Sequence, residues 1–405
     1  MKLHRGLIAL LAFLAMLGPF SIDTYLPSFP AMGRYFGVGP AAIQQTLTVF
    51  LLAMAVMTLF HGTLSDAWGR RPIILAGLSV YALASVGAAL APRVGVLVFF
   101  RLVQGLSVGV GIVVGRAMIR DRLSGPEAQK AMSTVTAVFG LAPLIAPLLG
   151  GWLEVALGWR SVFVFMGLYG ALLLTACGRS LKETLVPEAR VPLRLRATLR
   201  AYGRVAADRR FLSQCLGMTL ASSMLFLYVS AAPVFLMQLL HLPPTAFAWL
   251  FTPLITGMTL GAIVSGKLAH RWPPKRTIWT GYGIMGGAVA VNVAYNALAA
   301  PAVPWAVLPI MVYTFGMALA SPAMTILTLD LFPANRGLTA SLQAAIQLGT
   351  FSLIAGVVAP LIFHSGLLLA VGAAAGWLAG LLCWKWGAGG PDSAGEPKPP
   401  GEVTF

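Results

Sequence analysis

Twelve apolar runs follow one another through this chain, each close to the roughly 20 residues that a helix needs to cross a bilayer. They lie at about 7–30, 42–63, 71–91, 95–117, 131–154, 160–180, 211–237, 246–268, 277–299, 303–327, 338–361 and 363–386. Backbone N–H and C=O groups in lipid must be satisfied within their own segment, so such a chain reads as an all-α membrane protein. Composition agrees, with 58% hydrophobic and 10% charged residues and a mean hydropathy of +0.84; a soluble domain carries about 25% charged residues. Lys2, His4 and Arg5 before the first run mimic a signal peptide. That run is longer than a signal-peptide core and leads into further spans, so it reads as the first helix.

The formal charge of +16 would fit a nucleic-acid binder, but the positions of the cations speak against that. Of 28 Lys and Arg, 24 fall on the side of the termini and the even-to-odd loops; Arg34, Arg93 and Arg160 fall opposite, and Arg101 sits inside the fourth run. This asymmetry writes topology, with both termini cytoplasmic. The one long polar connection, 181–210, holds Arg190, Arg194, Arg196, Arg200, Arg204, Arg209 and Arg210. It divides a first six-helix half (1–180) from a second (211–386), and it could also contact anionic lipid. The stretch 387–405, rich in Gly and Pro with both charge signs, reads as a disordered cytoplasmic tail. Gly62-x-Leu64 through Trp68 returns as Gly266-x-Leu268 through Trp272, 204 residues later. Two repeats with a central cavity between them are the expected architecture. The cysteines, Cys177, Cys215 and Cys383, lie in or beside apolar runs, and the five histidines are scattered. No metal site, cofactor or membrane-embedded catalytic cluster is expected, and no appended soluble domain argues for a sensor.

The chemistry concentrates at Ser21-Ile22-Asp23-Thr24-Tyr25-Leu26-Pro27. An acid inside a span costs on the order of 2.5 to 3.5 kcal/mol, which makes Asp23 a functional candidate by default. At 1.5 Å per residue Asp23 lies about 10 Å, and Arg101 about 9 Å, below the same face. An arginine nearby and removal from water act in opposite directions on a carboxylate, leaving a charge that arriving substrate can switch. Two structural readings stay open: Asp23 as a cap or pairing acid, and Arg101 as a tie from the fourth helix to backbone carbonyls of the first.

Six patterns carry a resemblance. Gly62-x-Leu64-x-Asp66-x-x-Gly69-Arg70-Arg71 stands between the second and third runs, and Arg101-x-x-Gln104-Gly105 in the fourth. Ala142-Pro143-x-x-Ala146-Pro147-x-x-Gly150-Gly151 occupies the fifth; small residues every four positions allow close packing, and the prolines bend the helix. Asp23-x-Tyr25-Leu26-Pro27-x-x-Pro30-x-Met32, Trp159-Arg160 and Arg336-Gly337-x-x-Ala340-Ser341-x-Gln343 complete the set. Over nearly its whole length the chain resembles the major facilitator superfamily, and within it the Bcr/CflA branch of drug–proton antiporters. The resemblance implies a twelve-helix fold of two halves, no cofactor, and a monomer in the bacterial inner membrane. It implies export of small amphipathic drugs in exchange for protons, with Asp23 and Arg101 in proton coupling. An endogenous metabolite or peptide is the alternative cargo. Gly62, Asp66, Gly69, Arg70 and Arg71 would form a cytoplasmic gate with Asp121, and Gly105, Pro143, Pro147, Gly150 and Gly151 would set helix packing and kinks. Cavity liners are expected among Tyr25, Gln45, Met54, Gln104, Phe139, Ser222, Tyr228, Met258, Tyr313, Met317 and Gln347. Departures are Ala67, Ala146, His270 where the first copy has Asp66, and a single deep acid, since Glu154 and Asp330 fall near helix ends.

Overall fold

The computed structural model describes residues 2–388, with side chains described from 6 to 387; the expected tail lies outside these but for its first residues. Among the described residues, ten helices are long and apolar enough to cross a membrane. They are α1 (Gly6–Phe36), α2 (Pro40–Thr58), α3 (Arg70–Ala89), α4 (Val94–Arg122), α5 (Gly125–Leu157), α6 (Arg160–Ser180), α8 (Pro244–Leu268), α10 (Leu308–Leu329), α11 (Pro333–Ile362) and α12 (Gly366–Gly387). Between α6 and α8 the pair Arg209–Ala221 and Ser223–Leu239, bent by 43°, makes α7 an eleventh. A further helix, α9 (Pro274–Leu298), has 25 residues but carries Lys275, Arg276, Asn292 and Asn296 and is not apolar enough to be counted with them. No strand occurs among the described residues. Leu83 and Leu90 are each 73% exposed on the outer surface, as suits a wall facing lipid rather than water. The chain is a multi-pass membrane protein.

Proline decides the shape of α1. The regular helix Lys2–Asp23 gives way to a turn and a 3₁₀ segment, Leu26–Ser28, before helix resumes at Phe29–Phe36. Pro27 and Pro30 lack the N–H groups that would bond the carbonyls of Asp23 and Leu26. The element therefore ends six residues beyond the expected boundary, at Gly37 in the left-handed region (φ 66°). Asp23 consequently lies about 20 Å from that end, twice the expected depth.

Other boundaries moved for local reasons. The expected loop after α2 is a separate two-turn helix, His61–Trp68, whereas its second copy ends α8 and turns. The linker is not only polar: Leu195–Ala206 is an amphipathic helix burying Ala201, Tyr202 and Val205. Tyr202 and Val205 pack with Phe211, Cys215 and Leu342, and the Tyr202 hydroxyl donates to the Leu59 carbonyl at 2.9 Å. The linker thus seats on the second half and bonds to the end of α2.

Within the first six helices the main packings are α1 on α5, α2 on α4, and α3 on α4 and α6; within the last six, α8 and α9 on α10, and α7 and α9 on α12. Across the halves α2 meets α11 and α5 meets α8. The linker, the Asp66 helix and the start of α11 share one face, called here the basic face. The break in α1, the end of α5 and Pro244 share the opposite one.

Candidate functional site

Asp23 ends the regular part of α1 and is 5% exposed. Among the described residues its carboxylate makes no hydrogen bond and no ion pair. Arg101, fully buried, is held instead by neutral groups. Its Nη2 donates to the Ser21 carbonyl at 2.9 Å and its Nη1 to Gln104 Oε1 at 2.8 Å, and its Nε has no partner. The guanidinium lies 4.2 Å from the ring centroids of both Tyr25 and Phe50, a sandwich that disperses its charge. So the structure shows Arg101 tying α4 to a carbonyl of α1, two residues before the acid, and not the direct pair with Asp23.

A polar seam continues from this point through the first half. Gln104 Nε2 donates to Ser85 Oγ at 2.8 Å, Ser85 to the Tyr81 carbonyl at 2.7 Å, and the Ser21 and Tyr81 hydroxyls are 2.5 Å apart. Buried hydroxyls and amides at this depth need such partners, since an unpaired one costs about 1–3 kcal/mol. Tyr81 and Ser85 were missed by the motif reading. Their i, i+4 spacing on α3 was the available mark.

Gly150 fixes the far side of Asp23. A Cβ there would overlap the Thr24 carbonyl, so α5 touches α1 backbone to backbone one residue after the acid. Gly151 stands likewise against the Pro244 carbonyl of the second half, and Gly105 against the Phe50 carbonyl. The helix α5 runs unbroken through Pro143 and Pro147.

On the basic face, Arg70 joins the predicted gate residues. It pairs with Asp66 and donates Nε to Asp121 Oδ2 at 3.1 Å, while Arg71 Nη2 donates to the Gly178 carbonyl at 2.9 Å. Gly69 has φ 101°, which L side chains rarely adopt. Gly62, by contrast, meets nothing within 4 Å, so the close helix approach expected of it is absent in this conformation.

The unexpected member is Glu183, just past α6. Its carboxylate accepts the backbone N–H groups of Arg70 and Arg71 (3.1 Å each), Thr184 (2.8 Å) and Leu185 (3.0 Å), capping the N-terminus of α3 from another segment. Partial burial opposes its charge, but the four N–H donors prevail and hold the carboxyl below its ordinary value. A depressed carboxyl stabilises the fold above its unfolded value, and that contribution is lost as pH falls through the folded one. Glu183→Gln is therefore expected to destabilise by about 1 kcal/mol at pH 7. Thermal unfolding should show the gap between variant and wild type closing as pH drops below about 4.

A cleft of about 830 Å³ lies on this face, lined by Gly62, Asp66, Arg70 and Asp121, by Tyr202 of the linker and by Leu338 of α11. None of the expected cavity liners borders it. Several are packing residues here. Tyr25 and Gln104 belong to the Arg101 cluster; Tyr228 accepts a hydrogen bond from Asn292 (2.9 Å), and Tyr313 donates to the Ala221 carbonyl (2.7 Å). Ser222 stands at the α7 bend and Met317 is buried, while Met54, Phe139, Met258 and Gln347 are half-buried. Tyrosines at helix interfaces bury their rings and spend the hydroxyl on a nearby carbonyl, which residue type alone does not distinguish from a cavity wall.

The opposite face is sealed. Gln44 Nε2 donates to the Ser230 carbonyl and Gln45 Nε2 to the Gly356 carbonyl, both at 3.1 Å, and Ser352 Oγ donates to the Thr48 carbonyl at 2.9 Å. Gly356 lies in a π-helical turn, Ile354–Val358, where the regular backbone pattern is interrupted. Replacing Gln44 and Gln45 together by Leu is expected to unlatch this face. Spin labels at Arg34 and His241, both exposed there, should then report a population several ångströms longer than wild type; an unchanged distribution would rule out the latch.

Comparison with known proteins follows the same lines. The sequence model described as Major Facilitator Superfamily matches residues 11–360. The chain is 34% identical over 268 residues to an uncharacterised MFS-type transporter, YdgK, of Bacillus subtilis, covering 66% of this chain and 65% of that one. It is 33% identical over 264 residues to a bicyclomycin resistance protein homolog of Haemophilus influenzae, covering 65% and 66%. The matched region thus spans just under two thirds of either relative. A bacterial homolog of the human lysosomal transporter Spinster, solved inward-facing and occupied, superimposes with a TM-score of 0.73 at 16% identity over 96% of this chain and 97% of that one. Such a likeness concerns fold alone, but with the family match and the Asp66–Arg70–Asp121 cluster the assignment is plain. This chain belongs to the Major Facilitator Superfamily.

Proposed function

We propose that this protein exports small amphipathic drugs or toxic compounds across a bacterial inner membrane in exchange for protons, with Asp23 as the coupling carboxylate. The observation that carries the reading is Asp23 itself: buried at a helix break, with neither hydrogen bond nor counter-ion. A carboxylate in such a place can be compensated by a proton or by a cationic or hydrogen-bond-donating ligand. The two compete for one group, which is the requirement for exchange. Arg101, with one N–H unspent, stands at the neighbouring carbonyl as the group whose reorientation would follow Asp23. The asymmetry of Lys and Arg supports a cytoplasmic basic face and cytoplasmic termini. The cleft then opens inward and the glutamine seal closes the outside. Residues 1–180 and 211–386 would rock as two bodies within one monomer, the Asp66–Arg70–Asp121 cluster acting at the inner gate. Kinship with a bicyclomycin resistance protein homolog supports a drug as cargo.

The test is proton release from detergent-solubilised protein on adding bicyclomycin and other amphipathic drugs, wild type beside Asp23→Asn. Release by the wild type alone supports the reading. Release that survives the substitution places the proton site elsewhere, and silence over the whole panel points to a metabolite as cargo.

A further inference from the structure

Arg120 and Arg194 reach the basic-face cleft without a counter-ion. Arg120 lies in the last turn of α4 and Arg194 immediately before the linker helix, and both line the cleft. Among the described residues neither guanidinium has a hydrogen-bond or ion-pair partner. The two acids of the cleft are already engaged: Asp66 with Arg70, and Asp121 with Arg70 and with Thr184 Oγ1 at 2.7 Å. A cleft lined by unbalanced charge of one sign concentrates ions of the other.

The remaining wall is largely apolar, with Leu59, Val113, Ala117, Leu193 and Leu338. Its volume of about 830 Å³ lies in the range of roughly 300–1,000 Å³ typical of small-molecule sites. Guanidinium groups are suited to planar or tetrahedral oxyanions, which they grip through paired N–H donors. We propose that this cleft binds an amphipathic anion, its phosphate or carboxylate head at Arg120 and Arg194 and its apolar body along Val113, Ala117 and Leu338. The site is distinct from Asp23 and Arg101, neither of which borders the cleft. Its walls come from both halves, so an occupant wedges the basic face apart and opposes the closure that alternation requires. The same chemistry is offered by a free amphipathic anion and by the head of an anionic phospholipid.

Calorimetry in a neutral maltoside detergent tests the proposal, with dodecyl phosphate as probe and dodecyltrimethylammonium as its cationic counterpart. Wild type is expected to bind the phosphate and not the ammonium ion. Arg120→Gln/Arg194→Gln should weaken phosphate binding about ten-fold or more, since each lost charged hydrogen bond counts more than a neutral one. Arg196→Gln/Arg204→Gln removes the same charge from exposed positions of the linker helix outside the cleft and should leave binding unchanged. Equal binding of the ammonium ion, full affinity in the first variant, or an equal loss in the second would each overturn the site. Repeating the titration in nanodiscs of phosphatidylcholine with and without phosphatidylglycerol assigns the source. Competition by phosphatidylglycerol identifies the lipid head, and its absence identifies a free anion.

Discussion

Asp23→Asn protein is expected to insert, fold and unfold thermally at the wild-type temperature or above, and yet to move no cargo against a gradient. Asparagine matches the volume of aspartic acid and cannot ionise, so it removes any cost of burying a charge and leaves the packing around Gly150 intact. What it cannot do is take up and give back a proton. In proteoliposomes with an imposed pH difference, wild type should accumulate labelled cargo and the variant should stay at background. Downhill exchange of labelled for unlabelled cargo should persist in both, because rocking of the halves needs no proton if the site is permanently neutral. Accumulation by the variant at wild-type levels would remove Asp23 from the coupling step.

Gly150→Ala is expected to produce the largest structural effect of any single methyl group in the Asp23 region. The added carbon overlaps the Thr24 carbonyl, which is main chain and cannot rotate away. Forcing a methyl into packed helices costs about 1–3 kcal/mol, and here the displaced segment carries Asp23. Loss of thermal stability should therefore come with loss of transport. Gly140→Ala supplies the control on the same helix: nothing lies within 4 Å of its Cβ position, and alanine is the better helix former. That variant should be as stable as wild type or more so. Equal melting of the two variants would mean that the α1–α5 contact is not held in solution.

What could be read in the chain depended on how local the determinant was. The succession of apolar spans and the family follow from runs and spacings along the sequence, and the Asp66–Arg70–Asp121 contacts form where the motif set those residues. The expected first helix ran unbroken to about residue 30, without the break at Pro27 or the resumption to Phe36, so Asp23 lies deeper than expected. The linker helix was hidden because its arginines outweigh Leu195, Leu199, Tyr202 and Val205 in any average, although their spacing is helical. Glu183 was invisible for a different reason. Its role depends on where the end of α6 passes relative to the start of α3, more than 110 residues earlier. None of the expected cavity liners borders the cleft, and several pack between helices, because a tyrosine or glutamine on an apolar helix meets a neighbour as readily as a cargo.

The seal on the outer face has one consequence for how this protein can diversify. Each of its three bonds ends on a main-chain carbonyl: Ser230, Gly356 or Thr48. An acceptor of that kind is present whatever side chain the position holds. The side chains of Ser230 and Thr48 therefore take no part in the bonds that shut the door, whereas Gly356 stands where a Cβ would overlap Thr48. Gln44, Gln45 and Ser352 must be kept as donors, and Gly356 for want of room.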